Sequence, residues 1–336
     1  MTHHATALDE VRDLVGGPLR RALDRLDPDT RHLCGYHLGF WDADANPTEG
    51  AGKGLRPALA LLSARATGAG DEFGVPAAIA CELVHNFSLL HDDLMDGDVE
   101  RRHRETVWHR FGAAAAILAG DAMLALANEI LAEVASATTP WAVRCLNATT
   151  RRLIAGQTLD LAFERRTDVT LAECLKMAGD KTGALLACSA SLGAVLADAP
   201  SELALGLADY GAHLGAAFQL TDDLLGIWGS SERTGKPELS DLRARKKSAP
   251  VVAALESGTA DAAELRSLYF GDQDLNEEQL RHVAELIERC GALVWTERKA
   301  DSEVDAALGA LAELDLPSRV ATELTTLATG LAGRDH

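Results

Sequence analysis

The sequence predicts an all-α fold, a single-domain bundle of ten or more helices. Alanine, leucine, glutamate and arginine recur at three- and four-residue spacing along most of the 336 residues, which is the spacing of one helix face. Runs of the β-branched residues that favour strands are nearly absent. No Ser/Pro-rich linker divides the chain, so we expect one domain over residues 1–336.

The helical periodicity and its interruptions define the elements in order. Pro18 is expected to interrupt the first helix, whereas Pro57 lies in a first turn, where proline is tolerated. The Gly/Pro/Asp-rich segment 41–54 is predicted to be a loop, segment 226–248 is irregular, and Gly291 is a candidate break. The predicted helices cover residues 6–25, 55–67, 75–95, 111–135, 141–163, 171–196, 201–225, 249–256, 277–314 and 317–332.

Composition and charge exclude several classes of function. The net charge is −19, and such a surface repels nucleic acid and anionic lipid. Six scattered cysteines without a CxxC pair argue against a zinc site or disulfide framework and favour a reducing, cytoplasmic location. We expect no signal peptide, and the apolar stretches 111–120 and 185–197 are too short for a transmembrane segment.

The first chemically informative motif is HDDLMDGD, at residues 91–98. Asp92 and Asp96 are four residues apart and share one helix face, with Asp93 beside them. Gly97 is a plausible helix stop, which would leave three carboxylates at the negative end of the helix dipole. A hard divalent cation such as Mg2+ would offset that repulsion. The alternative is a solvated acidic turn.

Arginines follow this motif at once in the run RRHR, which spans Arg101, Arg102, His103 and Arg104. Guanidinium groups suit bidentate contacts with phosphate. Surface ion pairing would explain a lone arginine pair, but acidic and basic clusters so close together indicate bound phosphate.

A second aspartate pair, Asp222 and Asp223, again follows an apolar helix, and Gly226 is predicted to end it. Lysines follow here, and only seven occur in the chain against 25 arginines. Since lysine commonly binds phosphate, the concentration of lysines in this segment indicates a phosphate-binding role. The lysines that accompany candidate motifs are Lys53, Lys181, Lys236, Lys246 and Lys247.

Six motifs occur in order across residues 52–247: GKGLRP, HDDLMDGDVERRHRETVWHRFG, GQTLDLAFE, KTGALL, AFQLTDD and GKPELSD. Together they resemble the trans-polyprenyl diphosphate synthases, which make farnesyl, geranylgeranyl and longer prenyl diphosphates. The resemblance implies an isoprenoid-synthase bundle around a central apolar cavity, with the two aspartate clusters facing one another and helices 249–332 completing the domain.

The resemblance also implies an Mg2+-dependent prenyltransferase that condenses isopentenyl diphosphate head to tail with an allylic diphosphate (dimethylallyl, geranyl or farnesyl). Three Mg2+ ions per site are expected on aspartates of the two clusters: Asp92, Asp93, Asp96, Asp222 and Asp223. The residues implied for the allylic diphosphate are Arg101, Lys181, Gln219, Lys236 and Lys246. Those implied for isopentenyl diphosphate are Lys53, Arg56, His85 and Arg102.

Residues near the reacting carbons are also implied. Lys181, Thr182 and Gln219 match catalytic positions, and Gln157 and Asp160 match a helix face that lines the same cavity. The resemblance implies that the departed diphosphate accepts the proton that is lost. Neither a nucleophilic serine nor a His/Glu pair acting as a general base is therefore needed.

Product length depends on residues upstream of Asp92, which lie deeper along the helix by about 1.5 Å each. Phe87 and Ser88 match the family positions that form a floor for the growing chain, and Val84 and Cys81, further along the same face, are expected to set a deeper limit. One aromatic residue with a small neighbour resembles the geranylgeranyl (C20) type. Simple core packing of Phe87 is the alternative.

Two positions depart from the family pattern. Gly226 replaces the third acidic residue of the second motif, and His103 replaces the usual glycine after Arg102. A class I terpene cyclase is the main alternative enzyme, although DDLLGIWGS lacks the expected metal-binding triad. A non-catalytic regulatory subunit is the other alternative. We expect a homodimer, for which the alanine-rich helix at 111–130 offers a face; core packing of these alanines is the alternative.

Overall fold

The computed structural model describes residues 3–48, 54–230, 238–271 and 273–332. It confirms the all-α fold class. The helices are α1 (His3–Ala22), α2 (Pro28–His37), α3 (Leu55–Arg65), α4 (Asp71–Asp96), α5 (Val107–Phe111), α6 (Ala113–Ala132), α7 (Thr139–Glu164), α8 (Leu171–Ala178), α9 (Ala184–Leu196), α10 (Ser201–Trp228), α11 (Ser240–Arg243), α12 (Ala249–Glu256), α13 (Ala260–Tyr269), α14 (Glu277–Arg289), α15 (Ala292–Ala312) and α16 (Ser318–Ala332).

Local stop signals place several helix boundaries where the sequence predicts them. Gly97 adopts a left-handed φ of 71° and caps α4, its N–H bonding to the Asp93 carbonyl. Gly291, with φ of 78°, separates α14 from α15. Helices α2 and α13 were not predicted, although each begins at a side-chain cap, Asp27 or Thr259.

Other boundaries differ from the prediction because tertiary packing overrides local preference. Helix α1 continues through Pro18, and α10 continues past Gly226 to Trp228. Ile227 in that last turn is 1% exposed and packs with Leu242, which stabilises the extension. The predicted helix over 171–196 contains one π-helical turn, Gly179–Gly183, between α8 and α9.

A two-stranded hairpin, β1 (Glu100–Arg101) and β2 (Arg104–Glu105), follows α4. No strand was predicted, and segments of two residues are too short to show alternation in sequence.

Residue proximity divides the chain into two compact units. The first comprises residues 1–150, 185–211 and 310–327, and the second comprises 151–184, 212–309 and 328–336. The expectation of one domain over the whole chain stays a prediction.

The core of the first unit is formed by α4, which packs against α3 and α6. Small residues permit close approach of the helices. A Cβ at Gly74 would lie 2.9 Å from the Leu61 side chain, and a Cβ at Gly193 of α9 would lie 2.3 Å from the Ala60 carbonyl. This packing fixes α4, the helix that carries the first aspartate motif.

The second unit has a core built around α12 and α14. Val251, Leu265, Tyr269 and Val283 are almost completely buried within it. A neighbouring cluster joins Leu220 of α10 to the start of α12. The second aspartate motif follows Leu220 by two residues, so this packing fixes its position.

In the part of the chain that the structure describes, two helices are long and apolar enough to cross a membrane by length and composition, Asp71–Asp96 and Ala113–Ala132. In α4, 67% of the apolar window is buried inside the protein, and in α6 the share is 44%. Helix α4 is therefore a core helix, whereas α6 keeps an outward apolar face.

Candidate active site

The last turn of α4 carries the first three aspartates, and each has a different environment. Asp92 and Asp93 are buried, at 8% and 1% exposure, whereas Asp96 is exposed. Asp93 Oδ2 is buried without a hydrogen-bond partner among the described residues. Burial raises the pKa of Asp93 to about 6, although nearby Arg101 works to lower it. The turn thus presents carboxylate oxygens at the C-terminal, negative end of the helix.

Arg101 of β1 is held against this turn. Its Nε donates to Asp93 Oδ1 at 2.6 Å, and its Nη2 lies 3.8 Å from Asp98 Oδ2. The ion pair holds the guanidinium beside the aspartates.

Arg102 and His103 form the two-residue loop of the β1–β2 hairpin, and both have left-handed backbones, with φ of 53° and 61°. Two-residue hairpins of this kind favour Asn-Gly or Gly-Gly, because positive φ strains other residues. The strain is about 1–2 kcal/mol per residue. His103 thus occupies a position where the usual glycine would relieve strain. Contacts around the loop must therefore hold it in this conformation.

The predicted isopentenyl diphosphate residues are partly assembled in the first unit. Arg56 lies in the first turn of α3, and its Nε is buried without a hydrogen-bond acceptor among the described residues. Burial lowers the pKa of Arg56, while Glu82 of α4 works to raise it. Glu82 is itself held by Asn86, whose Nδ2 donates to Glu82 Oε1 at 3.0 Å. Lys53 lies outside the described residues.

His85 is partly buried on α4. Burial, followed by the charges of Arg56 and Arg102, holds its pKa well below the ordinary value. The ring is therefore neutral at physiological pH and offers one N–H donor.

His37 is a member of this site that the sequence analysis missed. It lies at the end of α2 and lines a cleft whose other walls include Tyr36, Asp93, Arg101, Arg102 and Arg104. Its Nε2 is buried without a hydrogen-bond partner among the described residues. Burial and the neighbouring arginines lower the pKa of His37 to about 3. In the sequence, His37 lies in the segment YHLGF, directly before the predicted loop 41–54, and this position was the signal that could have identified it.

In the second unit, the π-helical turn presents two predicted catalytic residues. The Lys181 ammonium lies 2.6 Å from Asp160 Oδ2 of α7, and Thr182 Oγ1 donates to Gln219 Oε1 of α10 at 2.7 Å. A Cβ at Gly156 would lie 2.3 Å from the Lys181 backbone nitrogen. The glycine thus lets α7 approach the turn closely, and π-helical turns are frequent at functional sites. Gln157, also predicted here, is buried at 5% exposure on α7.

The second aspartate pair has one exposed and one buried member. Asp222 is exposed, whereas Asp223 is 4% exposed. Asp223 accepts hydrogen bonds from the Gln219 amide at 2.9 Å and from the Ala249 backbone at 3.0 Å, and Lys246 Nζ lies 3.6 Å away. Burial raises the pKa of Asp223, and Lys246 opposes the shift. In both motifs the second aspartate is therefore the one that anchors a cation.

Gly226, where the family pattern has an acidic residue, faces the carboxylate of Asp241. A Cβ at Gly226 would lie 2.5 Å from the Asp241 carboxyl group. Asp241 Oδ2 also lies 3.5 Å from Lys246 Nζ. Burial works to lower the pKa of Lys246, but Asp223 and Asp241 outweigh it and raise the pKa. A carboxylate thus occupies this region although the motif lacks its third aspartate. Lys236 lies outside the described residues.

The donor set fits Mg2+. Among the residues that the structure describes, no three His, Cys, Asp or Glu side chains converge to hold a metal ion by themselves. Mg2+ is usually bound by one or two carboxylates and completed by substrate phosphates and water. Asp92 and Asp96 on α4 and the exposed Asp222 on α10 are oxygen donors of that kind.

The predicted chain-length residues lie deeper along α4. Phe87, at 6% exposure, meets the His91 ring edge-on with the centroids 5.0 Å apart. Ser88 is 7% exposed and donates to the His85 carbonyl, and Val84 is completely buried one turn below. The helix thus places one large ring, with a small neighbour, about 7.5 Å below Asp92.

This combination of an all-α fold, paired aspartate motifs and adjacent basic groups defines a class of prenyl-transferring enzymes. The family model described as "Polyprenyl synthetase" matches residues 45–287. A (2E,6E)-farnesyl diphosphate synthase from Mycobacterium tuberculosis is 48% identical over 328 residues, covering 96% of this chain and 91% of the relative. A geranylgeranyl diphosphate synthase from the same organism is 40% identical and covers 90% of this chain and 87% of the relative.

Among solved structures, a polyprenyl synthetase from Streptomyces coelicolor A3(2) superimposes with a TM-score of 0.93 at 49% identity, covering 98% of this chain and 99% of that one. The chain belongs to the polyprenyl synthetase family and is a trans-prenyl diphosphate synthase, that is, a trans-prenyltransferase.

Proposed function

We propose that this enzyme condenses isopentenyl diphosphate with an allylic diphosphate (dimethylallyl, geranyl or farnesyl) and releases geranylgeranyl diphosphate, the C20 product. The observation that carries the C20 assignment is the pairing of buried Phe87 with small Ser88 above completely buried Val84. A single ring limits the depth of the site less than two adjacent rings would. The similarity to a geranylgeranyl diphosphate synthase supports the assignment.

The aspartates of both motifs are proposed to bind three Mg2+ ions. Asp92 and Asp96 are the proposed ligands in the first motif and Asp222 in the second. When bound, Mg2+ supplies the positive charge that neutralises the departing diphosphate. Asp93 and Asp223 contribute by anchoring Arg101 and Lys246, which fixes the orientation of each cation.

The remaining basic groups divide between the substrates. Arg101, Lys181 and Lys246, with Lys236, are proposed to bind the allylic diphosphate, and Gln219 contributes through its amide. Arg56, neutral His85 and Arg102, with Lys53, are proposed to bind isopentenyl diphosphate. Because these groups are charged or hydrogen-bond donors, each substrate is held by its diphosphate, and its hydrocarbon is left to apolar surroundings.

The chemistry follows from this arrangement. Cleavage of the allylic C–O bond gives a delocalised carbocation, which must be shielded from water. The double bond of isopentenyl diphosphate attacks the cation, forming the new C–C bond, and the departed diphosphate accepts the proton that is lost. Thr182 and Gln219, joined by a 2.7 Å hydrogen bond, are proposed to direct their oxygens toward the reacting carbons and stabilise positive charge there.

A second candidate product is farnesyl diphosphate, the C15 chain, because the 48% identical relative is a farnesyl diphosphate synthase. Chromatography of the dephosphorylated products made from each primer distinguishes the two. We expect C20 as the main product with farnesyl diphosphate as primer. Accumulation of C15 from geranyl diphosphate, with no use of farnesyl diphosphate, would refute the C20 assignment.

The same assay tests the wider proposal. Elongated product that requires Mg2+ and disappears in EDTA is expected. A cyclic hydrocarbon would indicate a terpene cyclase, and the absence of any product would indicate a regulatory subunit.

We also propose a cytoplasmic homodimer that pairs through α6. Ala114, Ile117, Leu118, Asp121 and Ala125 are exposed along one face of this helix, and Leu118 is 62% exposed. This exposure of large apolar side chains is typical of an interaction surface. Light scattering after size exclusion should give twice the chain mass. Ile117→Glu with Leu118→Glu should give the monomer, and a dimer in that variant would exclude this face.

A further inference from the structure

The strained loop at Arg102 and His103 carries a proposed isopentenyl diphosphate ligand, so something must hold it in place. Two L-residues with positive φ, at 53° and 61°, form this loop. Such a loop relaxes to other conformations unless neighbouring contacts over-determine it. Within the hairpin, the short Glu100–Glu105 and Arg101–Arg104 pairings join the strands, and the Thr106 N–H bonds to the Val99 carbonyl at their base.

Arg110 of α5 donates to the Glu105 side chain of β2 at 2.9 Å, and α2 with the segment after it holds the backbone of β2 and Arg104. The Tyr36 hydroxyl donates to the Glu105 carbonyl at 2.8 Å. The Arg104 guanidinium lies over the Tyr36 ring, 4.3 Å from its centroid, and donates to the Trp41 carbonyl at 2.7 Å. Tyr36 itself is 6% exposed and packs edge-on against Phe111 at 5.1 Å. The Tyr36 side chain is therefore held in one position by its packing, and the stacking of Arg104 on its ring attaches the hairpin to α2.

The opposite strand is held differently. Arg101 of β1 pairs with Asp93 on α4 at 2.6 Å. The hairpin is thus fixed on one side to the aspartate motif and on the other to α2, with Arg102 at the loop between them.

We propose that Tyr36 and Arg104 are positioning residues, which hold the strained loop so that Arg102 keeps the geometry needed to bind isopentenyl diphosphate. The proposal rests on the proposed function for the identity of the ligand. Both residues line the cleft beside Arg102, and their proposed role is to position Arg102 and not to bind the substrate themselves. Their effect is transmitted through the backbone of β2, and removal of the strain should make them dispensable.

The test uses Tyr36→Phe, which deletes only the hydroxyl, and His103→Gly, which removes the penalty for positive φ at that residue. The dissociation constant of isopentenyl diphosphate is measured by calorimetry on the full chain in EDTA, and the KM for each substrate is measured with Mg2+.

Tyr36→Phe should weaken isopentenyl diphosphate binding about threefold to tenfold, the effect of one hydrogen bond. The double variant with His103→Gly should return to within about twofold of the wild type. Arg104→Lys, which keeps the charge but loses the planar stacking, should resemble Tyr36→Phe.

Tyr210→Phe is the matched control. Tyr210 is also buried and also donates to a backbone carbonyl at 2.8 Å, that of Leu324. It should reduce thermal stability and leave the dissociation constant unchanged. Unchanged binding in Tyr36→Phe, or a loss that His103→Gly does not suppress, would overturn the proposal.

Amide hydrogen exchange of residues 98–106 separates this proposal from the proposed function. Exchange in the ligand-free chain should be faster in Tyr36→Phe than in the wild type and slower again in the double variant. If the wild type fails to bind isopentenyl diphosphate, the proposed function fails. The exchange pattern still decides whether Tyr36 holds the hairpin, and equal exchange in all variants would refute that role.

Discussion

Replacement of Phe87 by alanine should lengthen the product. The ring is 6% exposed on α4 and meets His91 edge-on. The next side chain along the same face is Val84, completely buried and about 4.5 Å deeper along the helix. Removal of the ring therefore gives room for about one further isoprene unit before Val84 stops the chain. With farnesyl diphosphate as primer, we expect the main product to change from C20 to C25.

The same substitution should reduce stability, because it leaves a cavity in the packing around α4. Phe→Ala changes in protein cores lower the free energy of unfolding by about 3–5 kcal/mol. Urea titration measures this loss, and chromatography of dephosphorylated products measures chain length. Phe163→Ala is the matched control, since Phe163 is 2% exposed on α7. It should lose similar stability and keep the product length of the wild type.

Ser88→Phe tests the same floor in the opposite direction. A second ring beside Phe87 should shorten the product to C15. A folded Phe87→Ala enzyme with an unchanged product distribution would refute the assignment of this ring as the floor, and so would the same lengthening in Phe163→Ala.

Three further predictions concern charged groups. His37 has a pKa of about 3 in the folded chain and 6.5 as its ordinary value, so its contribution to stability is present above pH 6.5 and is lost as the pH falls toward 3. The wild type should lose about 2 kcal/mol from this group between pH 7.5 and pH 5, and His37→Gln should lack that loss in urea titrations at the two pH values; parallel curves would contradict it. Gly226→Asp should lower the free energy of unfolding by about 1–2 kcal/mol, because its Cβ would lie 2.5 Å from the Asp241 carboxyl group. Asp241→Ala should remove that penalty in the double variant, and additive effects of the two changes would exclude the clash. Asp160→Asn should reduce kcat/KM for the allylic diphosphate about tenfold, since Asp160 holds Lys181 at 2.6 Å. The KM for isopentenyl diphosphate should not change, and an equal effect on both substrates would show a general structural role.

The second aspartate of each motif illustrates the limit of spacing arguments. The sequence places Asp92, Asp93 and Asp96 on one helical turn, but it does not distinguish their roles. Burial and the ion pair with Arg101 give Asp93 an anchoring role. Asp223 gains the same role from Gln219, Lys246 and the start of α12. These partners are separated along the chain by 8 to 26 residues or by one helical turn, and only folding decides which of them meet.

The helical class, the end of α4 at Gly97 and the order of the six motifs can be read from the sequence, because helix periodicity, glycine caps and motif spacing are local properties. The strained hairpin, the place of His37 in the cleft and the extension of α10 past Gly226 arise only when the chain folds. Each of these depends on burial and on contacts between distant segments. Such contacts outweigh local preferences of about 1 kcal/mol per residue, and no short window of sequence contains them.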